Sequence, residues 1–194
     1  MPSWVQICNQ ALYRLGEPPL TLLTDNAKSA IACNNCYEQA RDEVLEENDW
    51  YAARVRAALS ADATAPSWGW SYRYALPTNP YCLKVLQVEN DIEYAVEGRY
   101  LMCGEASGIN ILYTGRIVDP TGIPPLLAKA ISWRLALILC RAIVQSSSMQ
   151  EALMQEYKII LQDAKQQNAM QFSVDDEAQN SSATGNAEWL NAGR

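Results

Sequence analysis

Apolar residues recur at helical spacing near the start of the chain. Trp4, Ile7, Cys8, Ala11, Leu12 and Leu15 fall on one face, with Ser3 placed to cap and Gly16 placed where a left-handed helix end belongs. Glu17-Pro18-Pro19 stops that helix, and Leu20-Thr21-Leu22-Leu23 reads as an extended connector. Asp25 is a candidate cap for a longer second helix, whose stripe is Ala27, Ala30, Cys33, Tyr37, Ala40 and Val44 and whose end is expected near Asn48. The two helices are expected to pack as an antiparallel pair. The opposite face of the second carries Glu38, Asp42 and Glu46.

The period then changes. Residues 50–59 fit either a helix or an edge strand, and 61–69 read as a loop punctuated by Pro66 and Gly69. Trp68, Trp70, Tyr72 and Tyr74 alternate, as on one face of a strand. After Pro77 and Pro80, runs at 81–89, 92–97, 100–103 and 109–113 alternate or pair across turn residues, which predicts an antiparallel meander with one wet face. Helical spacing returns at 126–144, apolar on most faces, after a Pro-rich entry loop; Arg134 and Arg141 share one stripe there. Such a helix is buried in its own core, in a subunit interface, or in both. Leu153, Tyr157, Ile160, Leu161 and Ala164 mark a fourth helix, with 146–148 as its cap. From Gln171 the pattern dissolves into Asp, Gln, Asn, Ser and Gly, which suits a flexible tail. The fold class expected is α+β: a bundle of four main helices (1–49 and 119–170), an inserted β meander (50–118) and an extended tail (171–194).

Near the end of that tail stand Trp189 and Leu190. They are either an anchor for a partner, where burial would contribute roughly 4–6 kcal/mol gross, or a segment that folds back on its own domain.

Charge refines the picture. The chain has 194 residues, 15 Lys+Arg and 22 Asp+Glu, a net −7, and no histidine. Without histidine there is no Ser-His-Asp or Cys-His nucleophile system and no histidine-bearing zinc site. The acid surplus collects in the first 49 residues and in the tail, around a neutral middle. An acidic balance argues against a dedicated nucleic-acid binder. The N-terminus has neither a basic nor an apolar signal region, and the apolar run at 126–144 is interrupted by Lys129, Arg134 and Arg141. A protein without membrane anchor or secretion signal is expected. Cys33-Asn34-Asn35-Cys36 is formally a C-x-x-C, but it lies inside a helical pattern without further ligands nearby, so buried helix cysteines are the reading preferred over a thiol or metal sensor. No catalytic, metal or cofactor residues are assigned.

The combination of Asn9-Gln10-Ala11-Leu12, the turn Leu15-Gly16-Glu17-Pro18-Pro19-Leu20, a long acidic helix with Tyr37, Arg41 and Leu45 ahead of Trp50, and the strand Tyr72-Arg73-Tyr74-Ala75-Leu76-Pro77 resembles the tail tubular protein A family of short-tailed bacteriophages, the head-to-tail adaptors. The ending Gly193-Arg194 after a short apolar pair also fits. The resemblance runs over nearly the whole chain and implies a structural virion protein. Such a protein forms a ring, expected to be twelve-fold, beneath the portal. The ring prolongs the channel for double-stranded DNA and carries the tail nozzle (tubular B) protein and fibres. It implies assembly in the bacterial host cytoplasm and residence at the head–tail junction.

On that reading Trp189, Leu190 and Arg194 are candidates for binding portal. Trp68, Trp70, Tyr72, Tyr74, Arg134 and Arg141 are candidates for subunit or nozzle contacts. Glu38, Asp42 and Glu46 are expected to face the lumen or outer solvent, since a channel that lets a duplex slide should not grip its phosphates. The alternative is a tail-associated cell-wall-cleaving enzyme with paired carboxylates, Glu93 with Glu97 or Glu46 with Glu47.

Overall fold

The computed structural model describes residues 2–25 and 27–184, with side chains to Gln171. Trp189, Leu190 and Arg194 therefore lie outside the described residues. Among the described residues four α-helices and six β-strands give a mixed α+β fold. In chain order they are α1 (Trp4–Arg14), α2 (Lys28–Glu46), β1 (Arg54–Leu59), β2 (Tyr72–Ala75), β3 (Cys82–Val88), β4 (Tyr94–Glu97), β5 (Tyr100–Cys103), β6 (Ile109–Gly115), α3 (Pro125–Ile143) and α4 (Ser147–Thr184).

Local signals set α1 firmly. The Ser3 hydroxyl accepts the Gln6 N–H at 3.2 Å, and the Gln6 side chain accepts the Ser3 N–H at 2.9 Å, which closes a capping box. At the other end Gly16, at φ 74, lets Glu17 N–H reach Leu12 C=O (3.0 Å) and Gly16 N–H reach Tyr13 C=O (3.2 Å). This is a Schellman ending, and it needs the left-handed conformation that glycine adopts cheaply. α2 begins without such help. Its N-cap is Ala27, with no side-chain cap bond. Asp25 instead accepts the backbone N–H groups of Thr21 and Leu22, folding the connector rather than capping the helix as expected. An Asx carboxylate serves either purpose, and a tight turn lay closer to hand here than a helix end.

The helix α3, with Pro125 in its first turn, is the hub of the helical body. Leu127, Ala130, Ile131, Leu135, Ala136, Leu139 and Cys140 are all buried, and α1, α2 and α4 each pack against it. α1 and α2 run antiparallel, as expected, but touch only lightly. Trp4 meets Tyr37, their rings 4.6 Å apart, and Cys8 meets Cys33, while each helix packs more extensively on α3. A three-residue turn, with Gln145 at φ 57, reverses the chain into α4, which Ser146 caps by accepting Met149 N–H. The all-round apolar character of α3 is therefore satisfied within its own chain.

The strands are antiparallel, as expected, but they are not a single meander. They form two three-stranded sheets, ordered β1-β6-β3 and β2-β5-β4, and only β4 and β5 are both consecutive and paired. β6 sits in the centre of its sheet, paired on both sides, with Ile109, Ile111 and Tyr113 all buried. The ambiguous segment after Trp50 resolves into a 3-10 turn, Tyr51–Ala53, followed by β1. Gly115, opposite Cys82, leaves the sheet where a β-carbon would come within 2.9 Å of Val55 Cγ2.

The tail expectation is corrected in part. α4 does not end near Gln171 but runs on to Thr184, 38 residues in all. A polar segment lacking its own apolar stripe can propagate an established helix at little cost, because nucleation is the unfavourable step.

Truncating the hub has a defined effect. Ile131→Ala, at a fully buried site on α3, is expected to lower stability by about 2–5 kcal/mol. Chemical denaturation monitored by circular dichroism measures it.

Candidate functional site

Three surfaces collect the side chains with something to do. The first is the junction between helical body and strands. Arg41 sits on α2 among Tyr37, Val44 and Leu45, and is only 1% exposed. Its Nε donates to Asp42 Oδ1 at 2.9 Å, and Arg116, just after β6, reaches Asp42 Oδ2 at 2.6 Å. One carboxylate thus joins a buried helix arginine to the exit of the central strand. Arg116 also lies over the Tyr81 ring (4.5 Å), as does Arg99 (4.0 Å), whose guanidinium donates to the carbonyls of Cys82 and Pro77 at 2.7 Å each. Beside Arg41 the Tyr37 phenol is pushed up to about 12, chiefly by burial, with the arginine opposing. Cys8 on α1 and Cys33 on α2 face each other, and the hydrogen bond to Cys33 together with burial holds the Cys8 thiol protonated. Cys36, half-buried, is also pushed up by burial.

The second is the seam along α4. Asn168 donates to Asp49 C=O (2.6 Å) and accepts Tyr51 N–H (2.8 Å), fixing the crossing from helix to strand. Trp50 closes the same corner by donating its indole N–H to Val44 C=O at 2.7 Å. Arg134 pairs with Glu43 at 2.6 Å, and Tyr157 donates to Glu47 at 3.0 Å. Burial, then the neighbouring Glu47 carboxylate, raises the Tyr157 phenol.

The third is a groove of about 1010 Å³ between α1 and the start of α3. Pro2, Tyr13, Pro19, Pro125 and Trp133 supply its apolar walls. Tyr13 is 85% exposed. Arg14 stacks on Trp133 at 4.3 Å and donates to Gln10 C=O and to the Ser132 hydroxyl. Arg14 makes no ion pair among the described residues, and its burial lowers its proton affinity. The Trp133 indole N–H is buried without an acceptor among the described residues. At the groove's edge Asn9 clamps the Pro18-Pro19 connector: its amide donates to Leu20 C=O (2.9 Å) and accepts Leu20 N–H (2.7 Å).

The expected site residues scatter across these surfaces. Trp68 is 86% exposed on the loop before β2, and Trp70 is half-buried. Tyr74 is not an interface residue. It is fully buried, with its hydroxyl donating to Glu105 and Ser107 carbonyls. The strand begins only at Tyr72, so the aromatic alternation does not mark one exposed face. Arg134 is engaged with Glu43, while Arg141 is exposed. Glu38 and Glu46 are exposed on α2, but Asp42 is turned to the two arginines and leaves the acidic face. Glu93, just before β4, and Glu97, its last residue, are exposed, and Glu47 is bonded to Tyr157. Among the described residues no three Cys, Asp or Glu side chains gather as metal ligands would, and no helix is long and apolar enough to cross a membrane.

The junction and the groove were not anticipated. The signal for the first was present: Arg41 stands four residues after Tyr37 and three before Val44, on the apolar stripe of α2, where a charge requires a partner. No local pattern announces the groove, because its two walls are more than a hundred residues apart in sequence.

Asp42→Asn is expected to destabilise the chain by about 3–5 kcal/mol, because it leaves the buried Arg41 charge uncompensated; Glu38→Gln, at an exposed position, should change stability by less than about 0.5 kcal/mol. Paired urea denaturation curves check the contrast. Compared with known proteins, the chain matches no family model and no curated protein.

Proposed function

We propose that this chain is a subunit of a head-to-tail adaptor ring of a short-tailed bacteriophage, a structural protein rather than an enzyme. The observation that carries the reading is the corner at Leu15-Gly16-Glu17-Pro18-Pro19-Leu20. It is built as a rigid unit: a Schellman ending on one side, and Asn9 clamped on Leu20 on the other. It sits in the element order the resemblance implies: one helix before it, then a second helix, a strand insertion and two further helices.

In this role the ring lies beneath the portal at the head–tail junction. It prolongs the DNA channel, and carries the nozzle protein and fibres. It assembles in the host cytoplasm. Closed rings need two different patches on each subunit. Most of α3 is consumed by the chain's own core, so apart from its Pro125–Trp133 edge the patches must come from elsewhere. The groove beside Tyr13, the projecting α4 and the exposed Trp68 loop are the surfaces left available. Glu38 and Glu46 give α2 an acidic outer face, suited to a wall past which a duplex slides without being held.

Electron microscopy of the purified chain, alone and mixed with portal, tests the proposal. Rings with twelve-fold top views are the expected result in at least the mixture. A chain that remains monomeric under both conditions contradicts it.

A further inference from the structure

The groove between α1 and α3 has the chemistry of a receptor. Its apolar walls surround a cation that the described residues leave without an anionic partner: the Arg14 guanidinium, stacked on Trp133. Two of the other polar side chains are already engaged: Gln6 belongs to the capping box, and Asn9 holds Leu20. Glu17 also lines the groove, but it forms no ion pair with Arg14. An occupant should therefore bring a carboxylate next to bulky apolar side chains. A sequence of that chemistry lies in this chain beyond the described residues: Ala187-Glu188-Trp189-Leu190.

We propose that residues 185–194 of one copy occupy the α1/α3 groove of a second copy, in place of the portal contact expected for Trp189 and Leu190, with Glu188 opposite Arg14 and with Trp189 and Leu190 against the apolar walls.

Reach decides that two copies are needed. α3 and α4 form a hairpin in which Ala164–Gln171 lie beside Pro124–Leu127, so α4 leaves past the N-terminal end of α3. Thr184 then stands about 20 Å beyond Gln171 at 1.5 Å per residue. The groove extends the opposite way along α3, from Pro125 to Trp133, about 12 Å. The four residues from Thr184 to Glu188 span at most about 14 Å. The segment falls well short of its own groove, whereas α4 presents it to a neighbour as an arm. An arm into a groove is a heterologous contact, which propagates from copy to copy and closes into a ring when the rotation allows. The proposal deepens the ring reading by naming the contact between neighbours, but the two fail separately.

Two full-length variants test it. Trp189→Ala keeps the groove and loses the anchor; Arg14→Glu keeps the anchor and repels it. Sedimentation should show each alone with association weakened by at least about tenfold, wild type in larger species, and an equimolar mixture of the two variants forming a one-to-one complex. Tyr13→Asp, at an 85% exposed side chain, serves as a second groove variant should Arg14→Glu lose its thermal melt. Combining Arg14→Glu with Glu188→Arg in one chain should restore wild-type assembly. Variants that assemble like wild type, a mixture without a complex, or a wild type monomeric at every concentration overturn the proposal. Rings that survive both variants overturn the arm and leave the adaptor reading standing; open chains that both variants abolish do the reverse.

Discussion

A helix that is apolar on most of its faces has to be covered on most of its faces. α3 imposes that requirement on everything around it. α1, α2 and α4 each contribute one apolar stripe to it, and Leu12, Val44, Leu135, Leu139 and Leu153 belong to a single continuous core. Burial of apolar side chains at about 25 cal/mol per Å² is the main stabilising term available to such a body. Covering α3 also decides what is left over. A helix that could have served as a subunit contact is closed off, and the exposed faces of α1 and α4 carry the surface chemistry instead.

The strands are tied to this body through polar groups. Their own core, around Tyr74, Leu101, Ile111 and Tyr113, is separate from the helical one. Between the two cores stand Asp42 with Arg41 and Arg116, and Asn168 on Asp49 and Tyr51. Directional bonds fix an orientation where an apolar contact alone would allow sliding. Arg41 is well placed for this, since it is held by a carboxylate, lies 6.0 Å from the Trp4 ring, and is shielded from water.

Local chemistry made much of the fold readable in advance. Ser3, Gly16 and Pro125 act within one turn of themselves, and the structure places each in the role its sequence context implied. The alternation of Ile109, Ile111 and Tyr113 likewise foretold a strand with one buried face. What depended on distant partners was not readable. The position of Asp42 on the acidic side of α2 suggested a solvated residue, and only the arrival of Arg116, from the far end of the strand insertion, makes it a bridge. Tyr74 shared its alternation with Trp68, but a strand that starts at Tyr72 separates their fates. β6 pairs with β1, more than fifty residues away, so strand order could not follow from the turns between neighbours. The continuation of α4 past Gln171 defeated composition for a related reason: a long helix already started elsewhere needs little from the residues that extend it.

α3 belongs to the chain's own core, and the proposed assembly contact uses the α1 side of the groove. Hydrogen exchange, read peptide by peptide in the free and the assembled chain, tests this most directly. The α3 amides around Ile131 and Leu139 are expected to be among the slowest in the free chain and unchanged by assembly, while peptides spanning Tyr13 and Pro19 gain protection. Rapid exchange of α3 in the free chain, slowed only on assembly, would contradict it.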